Sequence, residues 1–458
     1  MDTVLHRRRL RNLADANQVV RSCFREEAIA GYLAGQVTYN LGEYPSPFSI
    51  APTEYDEKLL RQFAEHGVGL VQLHEEWNDS QRRLGADKLS SHDPEGLRGF
   101  INLVHSLDMK VIPYASSGFF EATDPDFNPE WAHPKAHLVE LYFDYALCSP
   151  AHPGWRAYIL PRLERVITEY GVDGLYNDMG YVPLHELDLD PTIHISPAPE
   201  TPDCDAAAED LLGLVMYLVH KHGGILKIHV GTKQSMVRKG LYDYLWVGEG
   251  VQDLDGLRRD TKGLKSHVVP CPDMSRASVQ NENDLYLHSV PYLQFPLRVD
   301  GRPCTGQRAA VEGMNYRRGE DCFWTRHMRK VWGHFQEHPQ MSPMYGWWDS
   351  FPGRPEGRNR WLHHFDLYRP MVKDGSRAWL EIRTGSLFLS EIPKEVTASL
   401  FVNEDMYLVL ANYSESSVDI VSRWRWRDRE TGQTGETLSL MPRTFRYLQR
   451  ADAGDSRD

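Results

Sequence analysis

The sequence predicts an α/β protein, a TIM (β/α)8 barrel followed by an antiparallel β-sandwich domain. Three observations carry that reading. From residue 28 to residue 372, short apolar runs of strand length alternate with helix-length segments, the pattern of βαβ units with parallel pairing. Beyond residue 372 the runs shorten and alternate apolar with polar, without helix-length gaps, which is the texture of a sandwich. No Gly-rich phosphate turn follows the first strand candidate, and this argues against the rival open, doubly wound sheet.

Taken in order, residues 1–27 read as an N-terminal helical segment and residues 28–372 as the barrel. The first strand is placed at 28–38, and a helix follows from residue 54 to 66, stopped by Gly67 as a C′ glycine. Residues 68–73 form the second strand. Asp93 and Pro94 open the next helix with an N-cap and a proline in its first turn, and residues 109–115 form the third strand. A long insertion, 116–153, precedes a helix whose Trp155, Tyr158, Ile159, Leu163, Val166, Ile167 and Tyr170 fall on one face, and Pro161 is expected to kink it or to lie near its first turn. Strands four to eight are placed at 172–178, 225–230, 241–248, 266–270 and 290–297. Six alternating runs (378–383, 386–389, 398–402, 406–412, 418–424 and 444–448) make the β-sandwich, residues 373–452. A polar tail, 453–458, reads as frayed.

Composition bounds the partners. The 458 residues hold 51 Lys plus Arg against 64 Asp plus Glu, a formal charge of −13, so no positive field draws nucleic acid or anionic lipid. The expected partner is a small carbohydrate, with no nucleic acid and no membrane, while homo-oligomerisation stays open. Aromatic residues make up 11% of the chain, including 12 Trp and 22 Tyr, which suits sugar rings as well as it suits a large core. The six cysteines (Cys23, Cys148, Cys204, Cys271, Cys304 and Cys322) include no CxxC pair, so they read as isolated thiols. With no apolar h-region near Met1 and no run of 18 apolar residues, the expectation is a soluble, cytoplasmic protein.

In a parallel barrel the C-terminal ends of the strands form the active-site mouth. Four predicted strands end in polar residues: His74, Glu75, Glu76 and Trp77 after the second, Tyr176, Asn177 and Asp178 on the fourth, Lys227 and His229 on the fifth, Trp246 and Glu249 on the sixth. Strand alternation puts Gly174, Tyr176 and Asp178 on one face, and Leu245, Val247 and Glu249 on another. If both faces point inward, Asp178 and Glu249 crown the barrel together. A helix cap for Asp178 or a lysine partner for Glu249 is the bland reading of either one taken alone.

Two carboxylates across a pocket are the minimum equipment for glycoside hydrolysis, one ionised and one holding a proton. Asp178 suits the nucleophile, with Tyr176 and Asn177 as polar neighbours. Glu249 follows an apolar run whose desolvation would raise its pKa and suit it to donate a proton.

The run from Tyr170 to Met179, with Asp173, Gly174, Asn177 and Asp178, resembles the fourth-strand signature of retaining α-glycosidases of glycoside hydrolase family 31 and the related α-galactosidases. The resemblance implies that Asp178 is the nucleophile and that the acid/base comes from the end of the sixth strand, where this chain has Glu249 and those families mostly have Asp. The wider pattern, from Leu73–Trp77 through Val104, His105, Pro113, Tyr114, Cys148, Pro150 and Trp155, looks like uncharacterised bacterial glycosidase-like barrels.

His74, Glu75 and Glu76 could then hold sugar hydroxyls with Trp77 as a stacking wall, the alternative being a polar loop with Trp77 in the core. Tyr114, His229 and Trp246 complete the substrate-binding candidates near the mouth. Gln294 and Arg298 lie where the eighth strand is expected to end and join the substrate-binding candidates, Arg298 as a holder of an anionic group such as a carboxylate or sulfate on the sugar; a structural ion pair is the commoner fate of such an arginine. Trp347 and Trp348 could fold over the mouth or pack on the sandwich. Arg7–Arg9 and residues 423–429 are charge runs that solvated faces explain.

The function expected is therefore a glycoside hydrolase acting on a small glycoside or oligosaccharide, with no organic cofactor and no catalytic metal. A metal-dependent barrel hydrolase using His74 and His229, or a non-catalytic carbohydrate-binding barrel, are the alternatives.

Overall fold

The computed structural model describes residues 3–42, 48–78, 89–122, 124–140, 143–179, 204–248, 253–264, 267–271, 282–302 and 355–451. Its elements begin with α1 (Thr3–Val19), β1 (Val20–Ala28), β2 (Gln36–Asn40), α2 (Glu54–His66), β3 (Leu70–Leu73), α3 (Pro94–Ser106) and β4 (Lys110–Ser116). An excursion, β5 (Phe119–Glu121), β6 (Ala132–Glu140) and β7 (Phe143–Cys148), leads to α4 (Pro153–Tyr170) and β8 (Gly174–Asp178). Next come α5 (Cys204–Lys221), β9 (Ile225–His229), α6 (Ser235–Lys239), β10 (Tyr244–Val247), α7 (Leu254–Thr261), β11 (His267–Pro270), α8 (Glu282–Ser289), β12 (Arg298–Gly301) and α9 (Pro355–Tyr368). The chain ends in β13 (Arg377–Gly385), β14 (Val396–Val402), β15 (Met406–Asn412), β16 (Val418–Asp428), β17 (Thr434–Leu440) and β18 (Thr444–Arg450).

Eight parallel strands pair in the order β11-β10-β9-β8-β4-β3-β2-β12. The edges meet where Leu297 N–H donates to Pro270 O at 2.8 Å, which curls the sheet into a barrel. Local sequence explains the helices. Thr53 and Asp56 form a reciprocal capping box at the start of α2, and Gly67 ends that helix at φ 84°. Asp93 caps α3 through Gly96 N–H, and Gly171 ends α4 at φ 72°. Asp56 does a second job. Tyr39 and Arg302 both bond its buried carboxyl, at 2.5 Å and 2.6 Å. Burial alone would raise its pKa, but those hydrogen bonds and the guanidinium charge outweigh burial and hold it below the usual range.

Alternation divides each barrel strand into two faces. Leu70, Ile112, Tyr114, Tyr176, Tyr244, Trp246, Val269, Cys271 and Leu297 form one cluster inside the barrel. Val71, Leu73, Val111, Leu175, Leu226, Ile228, Leu245, Val247 and Val268 face outward into the core shared with the helices. The sixth strand thus turns Tyr244 and Trp246 inward, and not Leu245 and Val247 as the sequence reading had it. All four residues are apolar, and a strand buried on both faces gives alternation no polar contrast to work with.

Two strands also differ from expectation. The first barrel strand is β2, while Ala28 ends β1, which belongs to another sheet; Gly31, at φ 64°, lies in the connection between them. The predicted eighth strand, 290–297, is a 3-10 turn and an extended stretch, and β12 begins only at Arg298. Pro291 and Pro296 explain this, since neither can donate to a ladder.

The C-terminal strands form a seven-stranded antiparallel sheet, ordered β1-β13-β14-β15-β18-β16-β17. Its N-terminal member is the surprise. The expected helical segment 1–27 is α1 followed by β1, and β1 pairs with β13 from Val20↔Gly385 to Ala28↔Arg377. Ala16 and Val19 of α1 share a core with Trp379, Leu400, Leu410, Ile420, Trp426 and Leu438. From the sheet, Leu380, Phe401, Tyr407, Val409 and Tyr447 join the barrel's own core. Strand β17 lies between the predicted runs, whereas residues 386–389 contribute only a bridge from Phe388 to Ser422. The predicted tail, 453–458, lies outside the described residues.

Candidate active site

The mouth of the barrel is built from the last residues of β3, β4, β8 and β9 and the turns that follow. Asp178 ends β8, pairs in register with Ser116 and His229, and keeps about a quarter of its side chain exposed. It is the half-open carboxylate of an otherwise sealed strand. Tyr114, two residues before the end of β4, donates its hydroxyl to Asp178 Oδ2 at 3.1 Å. On the other side, His229 Nδ1 stands 3.8 Å from Asp178 Oδ1 and pairs with it when the imidazole is charged. The His229 ring meets the Trp246 ring edge-on at 4.1 Å. His74 lies parallel to the Tyr114 ring at 6.3 Å, with 8% of its surface exposed. His74, Tyr114, Asp178, His229 and Trp246 are therefore brought together.

Other candidates are placed differently. Tyr176 is buried one layer below the mouth, against Tyr114 and Trp246. Asn177 faces away from the interior, where its amide bonds Ser117 Oγ at 3.0 Å, so the polar contact to Asp178 comes from Tyr114 and not from Asn177. Trp77 is fully buried and donates its indole N–H to Tyr114 O at 2.8 Å, which ties the end of β3 to β4. Glu76 is buried, and its carbonyl lies 3.1 Å from His92 Nε2; Glu75 lies in the same 3-10 turn.

Gln294 and Arg298 are not at the mouth. Arg298 opens β12 instead of ending it, and its Nε bonds Asp300 Oδ2 at 3.1 Å, outside the barrel wall, where Arg358 grips the same carboxylate. Gln294 is buried beside Thr261 O at 3.4 Å. Glu249, Trp347 and Trp348 lie outside the described residues, and the inward face of β10 removes the alternation argument that placed Glu249 in the interior. Among the described residues no group of three or more His, Cys, Asp and Glu could hold a metal ion. None of their helices is long and apolar enough to cross a membrane.

Sequence reasoning left Lys227 out of the candidates. It shares the inward face of β9 with His229, so the same alternation could have found it.

The Tyr114 contact has a measurable consequence. Hydrogen bonds to a charged group are worth about 1.5–3 kcal/mol. Tyr114→Phe should therefore slow any reaction that uses the Asp178 carboxylate by roughly ten- to a hundredfold, with the thermal midpoint little changed. Unchanged kcat/KM in this variant would remove Tyr114 from the site.

No family model matches the chain, and no curated protein matches it in sequence. Solved structures do. The acarbose-bound α-amylase of Geobacillus thermoleovorans has a TM-score of 0.53 at 12% identity, covering 93% of this chain and 98% of its own. Trehalose-6-phosphate hydrolase of Bacillus licheniformis gives 0.53 at 12%, covering 92% and 100%. A family 36 α-galactosidase of Geobacillus stearothermophilus, in complex with raffinose, gives 0.50 at 13%; the match covers 94% of this chain but 57% of that enzyme. The fold is therefore a TIM barrel of the kind seen in these solved enzymes. At these identities the likeness is one of fold.

Proposed function

We propose that the protein is a glycoside hydrolase that cleaves a glycosidic bond in a small glycoside or oligosaccharide, with Asp178 as its nucleophile. The observation that carries this reading is Asp178 itself, a carboxylate about a quarter exposed at the C-terminal end of the fourth barrel strand, steadied by the Tyr114 hydroxyl. In a (β/α)8 barrel that is the face where chemistry is done.

The steps follow from the chemistry of the bond. Asp178 attacks the anomeric carbon while an acid protonates the departing oxygen; a covalent glycosyl ester results, and water activated by the same acid/base group releases the sugar. Glu249 is assigned the acid/base role on the strength of the fourth- and sixth-strand resemblance. His74 and Trp246 offer a polar tip and an aromatic edge to the sugar ring beside the bond being cleaved. The neighbours' ligands, acarbose and raffinose, make α-glucosides and α-galactosides the first substrates to try.

The reading is tested by trapping. Activated fluorosugars of glucose and galactose, which form the ester faster than they release it, should add one glycosyl group per chain, mapped by peptide mass to Asp178. Hydrolysis of aryl α-glycosides with the label on another carboxylate would dismiss Asp178, and absence of both turnover and label across the panel would dismiss the hydrolase.

A further inference from the structure

Lys227 lies on β9 with none of its surface exposed, directly before the outward Ile228 and the mouth residue His229. Its side chain crosses the interior to β2, where Nζ donates to Gln36 Oε1 at 3.1 Å. Gln36 passes the contact on. Its Nε2 donates to Leu33 O at 3.0 Å, and Leu33 N–H donates to Tyr244 Oη at 2.8 Å. Strands β9, β2 and β10 and the connection before β2 are thereby tied across the barrel axis.

The surroundings do not suit a charge. An ammonium has three N–H donors and finds one acceptor here. The groups that face it are the Tyr176 ring on β8, whose face, at 5.9 Å from Nζ, attracts a cation only weakly, Tyr244 in register on β10, and Cys271 after β11. Among the described residues no carboxylate lies in salt-bridge range of it.

We propose that Lys227 is a protonation-dependent latch: with a neutral amine it holds β9 to the opposite wall of a sealed barrel, and on taking up a proton it favours states in which that wall opens to water. The cause is desolvation, since an unpaired cation in an apolar interior is far more costly than the same cation in water. Burial brings the Lys227 pKa down to about 7, from an ordinary value near 10.5 in any state that water reaches. Linkage then sets the sign. Between those two values the open state binds the proton and the closed state does not, so opening becomes easier as pH falls toward 7 and levels off below it. Because β9 also presents His229, the latch acts on the strand beside Asp178. It stands whether or not the hydrolase reading does.

Hydrogen exchange measures it directly. Amide opening in peptides spanning residues 33–40 and 225–229, corrected for intrinsic exchange, is compared at pH 7 and pH 9 in the full chain. Wild type should open at least about tenfold more readily at pH 7. In Lys227→Met that ratio should collapse toward one, with slower opening at pH 7 than in wild type. Lys227→Gln, which keeps a polar end without the charge, serves the same comparison if the methionine variant does not fold. An equal ratio in wild type and variant, or a wild-type ratio near one, overturns the latch.

Discussion

Asp178→Asn is expected to lower kcat/KM by at least about a thousandfold on every substrate that the wild type turns over, which corresponds to about 4 kcal/mol of lost transition-state stabilisation. The amide is isosteric, and its oxygen can still accept from the Tyr114 hydroxyl, so the 3.1 Å contact and the fold have no reason to fail. Only the negative charge at the mouth is lost, and an uncharged amide does not form the ester.

Glu249→Gln makes the paired measurement. An acid that protonates the leaving oxygen matters most when that oxygen leaves poorly. Alkyl glycosides should lose nearly all turnover in this variant, and activated aryl glycosides should keep much more of theirs. Equal losses on both would reject Glu249 as the acid, and full activity in Asp178→Asn would reject the mechanism as a whole.

Gly174→Ala is expected to cost about 3–5 kcal/mol of stability, from overpacking and backbone strain together. Gly174 sits at φ 143°, and a Cβ there would lie 2.0 Å from Ile225 O and 2.5 Å from Ile225 N. Those are backbone atoms of the neighbouring β9, which pairs with Gly174 through Ile225 and cannot step aside without breaking the β8–β9 ladder. Gly171→Ala is the control. Gly171 also has a positive φ, 72°, but an added Cβ would meet nothing within 4 Å, so this variant should lose only about 1 kcal/mol. Thermal unfolding of the two side by side checks the claim, and equal midpoints would refute it.

That glycine shows how much of the site could be read from the chain. The run from Asp173 to Asp178 singled out the fourth strand, and its spacing put Gly174 and Asp178 on one face, as they are in β8. The reason Gly174 is glycine was not legible, because it depends on Ile225, 51 positions later. The same is true of Tyr114, which meets Asp178 because β4 and β8 pair in one register. A slip of one residue would have turned its ring into the helical layer.

Where sequence reasoning failed, a particular signal was missing or misread. Tyr244, Leu245, Trp246 and Val247 are all buried, so nothing in their polarity says which pair faces the interior. Strand β1 carries Arg21, Arg25, Glu26 and Glu27 and hardly reads as a core strand. Its partner, β13, lies about 350 residues away. Arg298 looked like a residue at the end of a strand; it opens one, because Pro291 and Pro296 had already excluded the segment before it.

By itself the sequence determined most of the barrel's helices and strands, that they alternate as barrel units before giving way to antiparallel strands, and that an aspartate ends the fourth barrel strand. Those properties are local, set by periodicity, caps and breakers within a few residues. Tertiary structure alone decided that the N-terminus completes the C-terminal sheet, that Tyr114 and His229 flank Asp178, and that Lys227 spans a sealed interior. Each of these depends on register and closure between strands far apart in the chain, and pairing energies of that kind are spread over whole strands instead of being written into any short stretch of residues.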